Sequence, residues 1–363
     1  MKQSKHARRM VLVILLIYLV LVGGTAASFR ADAFPRPTWR SVLNGSWCTQ
    51  LERYLNEDIG FHDVLFRIKS RTDLFIGEKM IQGVYVTDDR LLEKLYAEEA
   101  PAPESLADPV NAFCAETGLP TYLVLVPSAS EVYRGDLPAN AVSDEQSSRI
   151  QQIYSATASG VRCIDAYQIL YTHKDSYIYY RTDTHWTSYG AYLVYRSVIQ
   201  KLGFTPTPYE RYVIRHMTTS FRGDLYAKTL YDDVKPDLLD RYSNEDGAKI
   251  TSVTAYDADG DAADRGTVLY RESALSTPDM YRYYLGTPCD KLVIRTDVES
   301  GRKLLLYKDD LADCMVPFLL EHYSEICIID LARTGARYRA YADPSAYTQA
   351  LFLCSMERWT DLW

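Results

Sequence analysis

An α/β domain built on a mainly parallel sheet is the fold class that the residue pattern predicts, and three observations carry it. Apolar runs of strand length recur within 121–126, 303–307 and 325–330, and a run without polar alternation belongs to a strand covered on both faces. Between such runs lie stretches with apolar residues at three- and four-residue spacing, the mark of a helix with one buried face. Strand, helix and strand within about thirty residues make a right-handed crossover, which leaves the two strands parallel.

Taken in order, residues 1–9 carry Lys2, Lys5, Arg8 and Arg9 and no acid, and an apolar run continues from Met10 to about Phe29. That length, about twenty residues, predicts a membrane-spanning anchor over 10–29, a cytoplasmic tail over 1–9, and a single-pass protein with its bulk outside the cell membrane. Ala31-Asp32-Ala33 also fits the cleavage site of a secretory signal, and this alternative stays open. A Pro-bearing linker over 30–45 leads into a folded domain over 46–363.

Leu51, Tyr54 and Leu55, then Val64, Leu65, Ile68 and Leu74, predict two helices broken near Ile59-Gly60. A strand at Gly83–Val86 follows, then a helix from about Ser105 to Glu116 and the strand 121–126. Ser143-Asp144-Glu145-Gln146 fits a capping box for the next helix, to about Ser159, before the strand 161–164. Ala191, Val194, Tyr195, Val198, Ile199 and Leu202 give a further helix, capped by Thr187 or Ser188 and closed by Gly203. Residues 205–266 are polar and turn-rich, and read as an excursion over the site with one compact island, Phe221–Tyr226. Strand-like runs return at 267–270, 291–294 and 303–307, followed by a helix from about Ala312 to Tyr323 and the strand 325–330.

Composition excludes several classes. At 47% hydrophobic and 24% charged, the 363-residue chain is neither disordered nor fibrous. Removing the four positive charges of residues 1–9 from the formal net charge of −8 leaves −12, a surface that repels polyanions and excludes nucleic acid as a partner. The seven cysteines show no C-x-x-C and no Cys/His pairing at zinc spacing, so no metal and no cofactor are expected. Tyrosine is unusually frequent, 30 against 10 phenylalanines, which suits wet, sugar-binding surfaces as well as half-buried core positions.

The chemistry gathers in Tyr180–Gly190. Asp183 and His185 stand two residues apart in the turn that enters a helix, where an acid can orient an imidazole as acyl-transfer triads require. Asp309 and Asp310 follow the strand 303–307, at the carboxyl edge where sites in parallel sheets collect. His62, His173, His216 and His322 have no partner legible in the sequence.

Asp183-Thr184-His185-Trp186 resembles the signature of the bacterial DHHW family. The resemblance extends to Tyr54-Leu55-Asn56 with Phe61, Gly83–Val86, Val126–Ala129 with Glu131-Val132, Leu225-Tyr226, and Val316–Ser324. It implies an SGNH-hydrolase-like fold, similar to the membrane-linked proteins that O-acetylate alginate and other exported polysaccharides. In those, the matched Asp183 orients and His185 deprotonates a serine within a segment that commonly reads Lys-Asp-Ser-Tyr-Ala-Asn. Here it reads Lys308-Asp309-Asp310-Leu311-Ala312-Asp313, so Asp310 holds the nucleophile position and Asp313 that of the asparagine. A Gly-Gly-Asn of relatives is Gly286-Thr287-Pro288, and a proline has no N–H to offer an oxyanion.

The sites implied are Asp183, His185 and Asp310 at the catalytic position, with Arg181, Trp186, Tyr189 and Asp313 around the substrate. The implied function is that of a catalytically degenerate relative acting in cell-envelope polysaccharide binding, or as an accessory to O-acetylation. Its partners would be a cell-envelope glycan and a membrane-bound O-acyltransferase. The alternative is an active O-acetyltransferase or acetylesterase with a substituted nucleophile, for which Ser273 and Ser188 are the replacements to weigh.

Overall fold

The computed structural model describes residues 9, 11–13, 15–16, 18–20, 23, 36–43, 46–50, 62–95 and 101–362. Two compact units divide the chain. The smaller comprises residues 1–78 and 229–231, and among its described residues holds the helices Trp39–Leu43 and His62–Phe75. At the start of the first, Thr38 Oγ1 accepts from the Ser41 amide at 3.2 Å and Ser41 Oγ accepts from the Thr38 amide at 2.9 Å, a reciprocal cap. The helix expected around Leu51–Leu55, the break at Ile59-Gly60 and the Tyr54-Leu55-Asn56 and Phe61 matches lie outside the described residues.

The expected spanning helix is corrected. Among the described residues no helix is long and apolar enough to cross a membrane. The single-pass placement that rested on that helix goes with it, and the fold class is the mixed α/β sheet without it.

The larger unit, 79–228 with 232–363, is built on an eight-stranded sheet. Its strands are β4 (Thr121–Val126), β5 (Val161–Cys163), β8 (Ile250–Tyr256), β9 (Ala262–Asp264), β10 (Lys291–Thr296), β11 (Lys303–Lys308), β12 (Glu325–Asp330) and β13 (Gln349–Ser355), in the order β5-β4-β13-β11-β12-β10-β8-β9. From β5 to β12 every pairing is parallel, and β10, β8 and β9 extend that edge antiparallel. Small antiparallel pairings involve β1 (Met80–Ile81), β2 (Val84–Val86) and β3 (Leu91–Glu93), and separately β6 (Val213–Phe221) with β7 (Asp237–Ser243).

Both faces of the parallel strands are covered. Tyr122, Val124 and Val126 of β4 and Leu304 and Leu306 of β11 belong to one core cluster, while Leu123, Leu125, Leu305 and Tyr307 belong to another. The period-two alternation of a strand feeds two cores, which is why these runs show no polar alternation in sequence.

Several elements differ from expectation. Residues 250–264, read as part of the excursion, supply β8 and β9 of the main sheet, whereas 268–270 form no strand. The helix expected from Ser143 spans Gln146–Ala156 with no side-chain cap. The helix expected over 312–323 is a 3₁₀ stretch, Asp310–Met315, and one α turn, Val316–Leu319. The Leu311 carbonyl, which an α-helix would spend on the Met315 amide, instead accepts from Trp186 Nε1 at 2.7 Å and Tyr281 OH at 3.0 Å.

Candidate functional site

The helix Ser188–Lys201 begins with Thr187 as its cap, Oγ1 accepting from the Gly190 amide at 3.2 Å. Its first turn lies hard against the preceding segment: a Cβ on Gly190 would stand 2.3 Å from the Ile178 carbonyl oxygen. The turn before it is pinned from the far side by Asp237, which accepts from the Arg181 amide at 2.8 Å, the Thr182 amide at 2.9 Å and Thr182 Oγ1 at 2.5 Å. Asp183 and His185 thus project from a loop with fixed ends.

Asp183 Oδ1 accepts from His185 Nδ1 at 2.5 Å and from the His185 amide at 2.9 Å, and Oδ2 accepts from the Asp224 amide at 3.0 Å. Gly223 is required there, since a Cβ on it would meet Asp183 Oδ2 at 1.8 Å. The island Phe221–Tyr226 therefore closes over the carboxylate. On the other side of the ring, His185 Nε2 faces Asp310 Oδ1 at 3.7 Å. Tyr281 stacks on the imidazole, ring centroids 3.8 Å apart and planes within 20°, a contact that favours a cationic ring.

The charges follow from this packing. Burial alone would strip the proton from His185, but the carboxylates of Asp183 and then Asp310 outweigh it and hold the ring well above its ordinary value. Burial likewise opposes ionisation of Asp183 and Asp310, yet the cationic ring holds both below the usual carboxylate range. Asp224, partly desolvated and beside Asp183, is pushed up.

Asp310 lies where a sheet site should. A hollow of about 270 Å³ is lined by His185 and Asp310 together with Ser128 and Ser130 past the end of β4, and Ser355 and Arg358 at the end of β13. Glu357, also lining it, is pushed up to about 7 by burial and by Glu93. Beneath it, Lys308 lies 2.6 Å from Asp313 and 3.7 Å from Asp330, nearly buried. Burial raises Asp313 to about 6 even so.

The remaining predicted residues are dispersed. Trp186 is fully buried and ties the motif to the 310–315 turn through Leu311. Tyr189 is half-buried and packs edge-on against Tyr209, centroids 5.7 Å apart. Arg181 lies over the Tyr177 ring at 4.6 Å and lines a different cleft. Asp313 lines a small hollow with Gly286, Pro288 and Asp310, so the substituted Gly-Thr-Pro segment does border the aspartate. Ser188 Oγ meets Tyr284 OH at 2.8 Å, and Ser273 lines a hollow without His185. His173, His216 and His322 are satisfied by the Ile169 carbonyl, Asp240 and Tyr195. Among the described residues no group of three or more His, Cys, Asp or Glu could hold a metal.

Sequence reasoning missed Tyr281, Gly223 as the partner of Asp183, and Asp237. A glycine beside an acid in an otherwise polar excursion was the one available signal; long-range partners leave none.

A family model described as DHHW protein matches residues 39–329. The chain belongs to the DHHW family. Among solved structures, a DHHW family protein from Eubacterium siraeum is 23% identical with a TM-score of 0.67, over 77% of this chain and 93% of that one. Bacillus cereus PatB1 with a sulfonyl adduct is 20% identical with a TM-score of 0.64, over 76% of this chain and 95% of that one. The O-acetyltransferase domain of Pseudomonas putida AlgJ is 13% identical with a TM-score of 0.48, over 77% and 92%. The likenesses to the E. siraeum protein and PatB1 establish the DHHW fold of the chain. No curated protein matches.

Proposed function

We propose that this DHHW protein is a catalytically silent relative of polysaccharide O-acetyltransferases, which binds a cell-envelope glycan as an accessory to acyl transfer by a separate, membrane-bound partner. One observation carries the reading: the group facing His185 Nε2 is the carboxylate of Asp310, at 3.7 Å. In a working triad that nitrogen takes a proton from a serine hydroxyl as the oxygen attacks the acyl carbon. Ionised Asp310 has no proton to give. The ring between two carboxylates already carries the proton that a general base must accept. A carboxylate beside the reacting carbon also opposes the negative charge of a tetrahedral intermediate.

What survives is a polar hollow at the strand ends, with hydroxyls, carboxylates and cations lining it. The resemblance of the DHHW family to proteins that O-acetylate exported polysaccharides supports the glycan and the O-acetylation context.

The test is turnover of a chromogenic acetyl ester, paired with labelling by a sulfonyl fluoride, a reagent that would form an adduct of the type carried by PatB1. The unmodified protein should do neither. Asp310→Ser supplies a hydroxyl and removes one of the two carboxylates holding the proton on His185, and partial turnover with labelling should follow. Robust hydrolysis by the unmodified protein, lost in His185→Ala, would overturn the reading.

A further inference from the structure

A cleft of about 890 Å³ opens beside the His185 hollow. Three segments pass from one to the other. Arg90 lines the cleft and Glu93, three residues on, lines the hollow. Ser130 lines the hollow and the adjacent Glu131 lines the cleft. Arg181 lines the cleft and Thr184 the hollow. Consecutive Cα atoms are about 3.8 Å apart, so the two depressions share a wall.

The lining of the cleft is built from tyrosines and cations laid on one another. Tyr167 and Tyr171, one helical turn apart, stack with centroids 5.5 Å apart and planes within 24°. Arg90 lies 3.5 Å over the Tyr133 ring, Lys174 4.6 Å over Tyr171 and Arg181 4.6 Å over Tyr177. Tyr171 is 41% exposed. The pairings fix N–H donors and amphipathic rings in place before any ligand arrives, which lowers the ordering cost of binding.

Charge selects the ligand. The cations are Arg90, Arg134, Lys174 and Arg181, and the same lining carries one more carboxylate than that. Arg90 is paired with Asp89 at 3.0 Å and Arg134 with Glu131 at 2.7 Å. No surplus positive charge is left to hold a polyanion. Rings, fixed donors and carboxylate acceptors are what an uncharged, hydroxyl-rich chain requires: apolar faces of the sugar ring for the tyrosines, hydroxyls for the rest.

We infer that the tyrosine-lined cleft is a holding subsite for an uncharged glycan, which delivers the chain across the shared wall into the His185 hollow. The inference rests on the glycan reading above and goes beyond it by assigning the subsite and excluding polyuronates from it.

Calorimetric titration of the full chain with neutral hexasaccharides of glucose and of N-acetylglucosamine, and with a hexauronate, at low and high salt, tests it. A neutral hexamer should bind with little salt dependence, and Tyr171→Ala and Tyr167→Ala should each weaken it about tenfold while melting near the parent temperature. Binding untouched by both tyrosine variants but lost in Asp310→Arg would overturn the cleft assignment and leave the glycan reading standing. Absence of binding by the unmodified protein to all three hexamers would sink both. Tighter, salt-sensitive binding of the hexauronate would overturn the uncharged class.

Discussion

Replacing Asp310 by asparagine measures how firmly His185 holds its proton. At 3.7 Å, two unit charges attract by about 1 kcal/mol in a water-like medium and about 4–5 kcal/mol at an effective dielectric constant of 20. The Asp310 side chain is 55% exposed, so solvent screens the pair and the lower part of that range applies, about 1–2 kcal/mol. That corresponds to roughly a 5- to 30-fold change in proton affinity. Ring ¹⁵N shifts of His185 followed over pH give the direct readout. The parent ring should be a doubly protonated imidazolium at pH 7, and Asp310→Asn should shift its titration to lower pH without making it ordinary, because Asp183 stays 2.5 Å from Nδ1. A neutral ring at pH 7 in the parent, or a titration indifferent to Asp310, would refute the charge argument behind the proposed silence.

Three further outcomes follow from the same geometry. Gly223→Ala should displace Asp183, because the added Cβ would lie 1.8 Å from its carboxylate oxygen; loss of the downfield Nδ1–H resonance of His185 and a lower melting temperature check it. Lys308→Met strands the Asp313 and Asp330 carboxylates, 2.6 and 3.7 Å from the lost ammonium, and should cost about 3–5 kcal/mol in urea unfolding; with Asp313 already raised to about 6, the loss should be larger at pH 8 than at pH 5. The parent should itself show linked stability: the raised His185 contributes fully below about 6.5 and its contribution fades as pH rises through its folded-state value, while depressed Asp183 contributes above about 3.8 and fades as pH falls through its own. Melting temperatures in Asp183→Asn should flatten both limbs.

The parallel sheet was legible because burial on both faces leaves an unmistakable mark, runs such as Thr121–Val126 with no polar alternation. The motif turn was legible because its acid, imidazole and helix cap are local. Elements governed by distant partners were not. Residues 312–323 read as an α-helix in sequence, whereas 310–315 form a 3₁₀ stretch whose Leu311 carbonyl is taken by the distant Trp186 and Tyr281. The strand Ile250–Tyr256 hides in a polar stretch because it lies beyond the parallel core, between β10 and the short β9, with its burial broken by half-exposed residues.

That same turn explains how the fold accommodates a carboxylate at position 310. Asp310 is the first residue of the 3₁₀ stretch and lies half in solvent, so its carboxylate escapes the full desolvation that burial would impose. Its buried neighbour Asp309 does not escape: burial, then the charge of Asp310, raises it to about 6 in spite of its bonds to Ser355 at 2.7 and 2.8 Å. A carboxylate at 310 is thus tolerated by exposure on one side and an imidazolium on the other. Serine there would remove a charge that the surrounding groups balance, so any chemistry gained in Asp310→Ser should come with a loosened proton on His185 and an easier ionisation of Asp309. If instead the serine variant turns over ester while His185 keeps the parent titration, the silence proposed above lies in the missing hydroxyl alone, and the charge argument has no part in it.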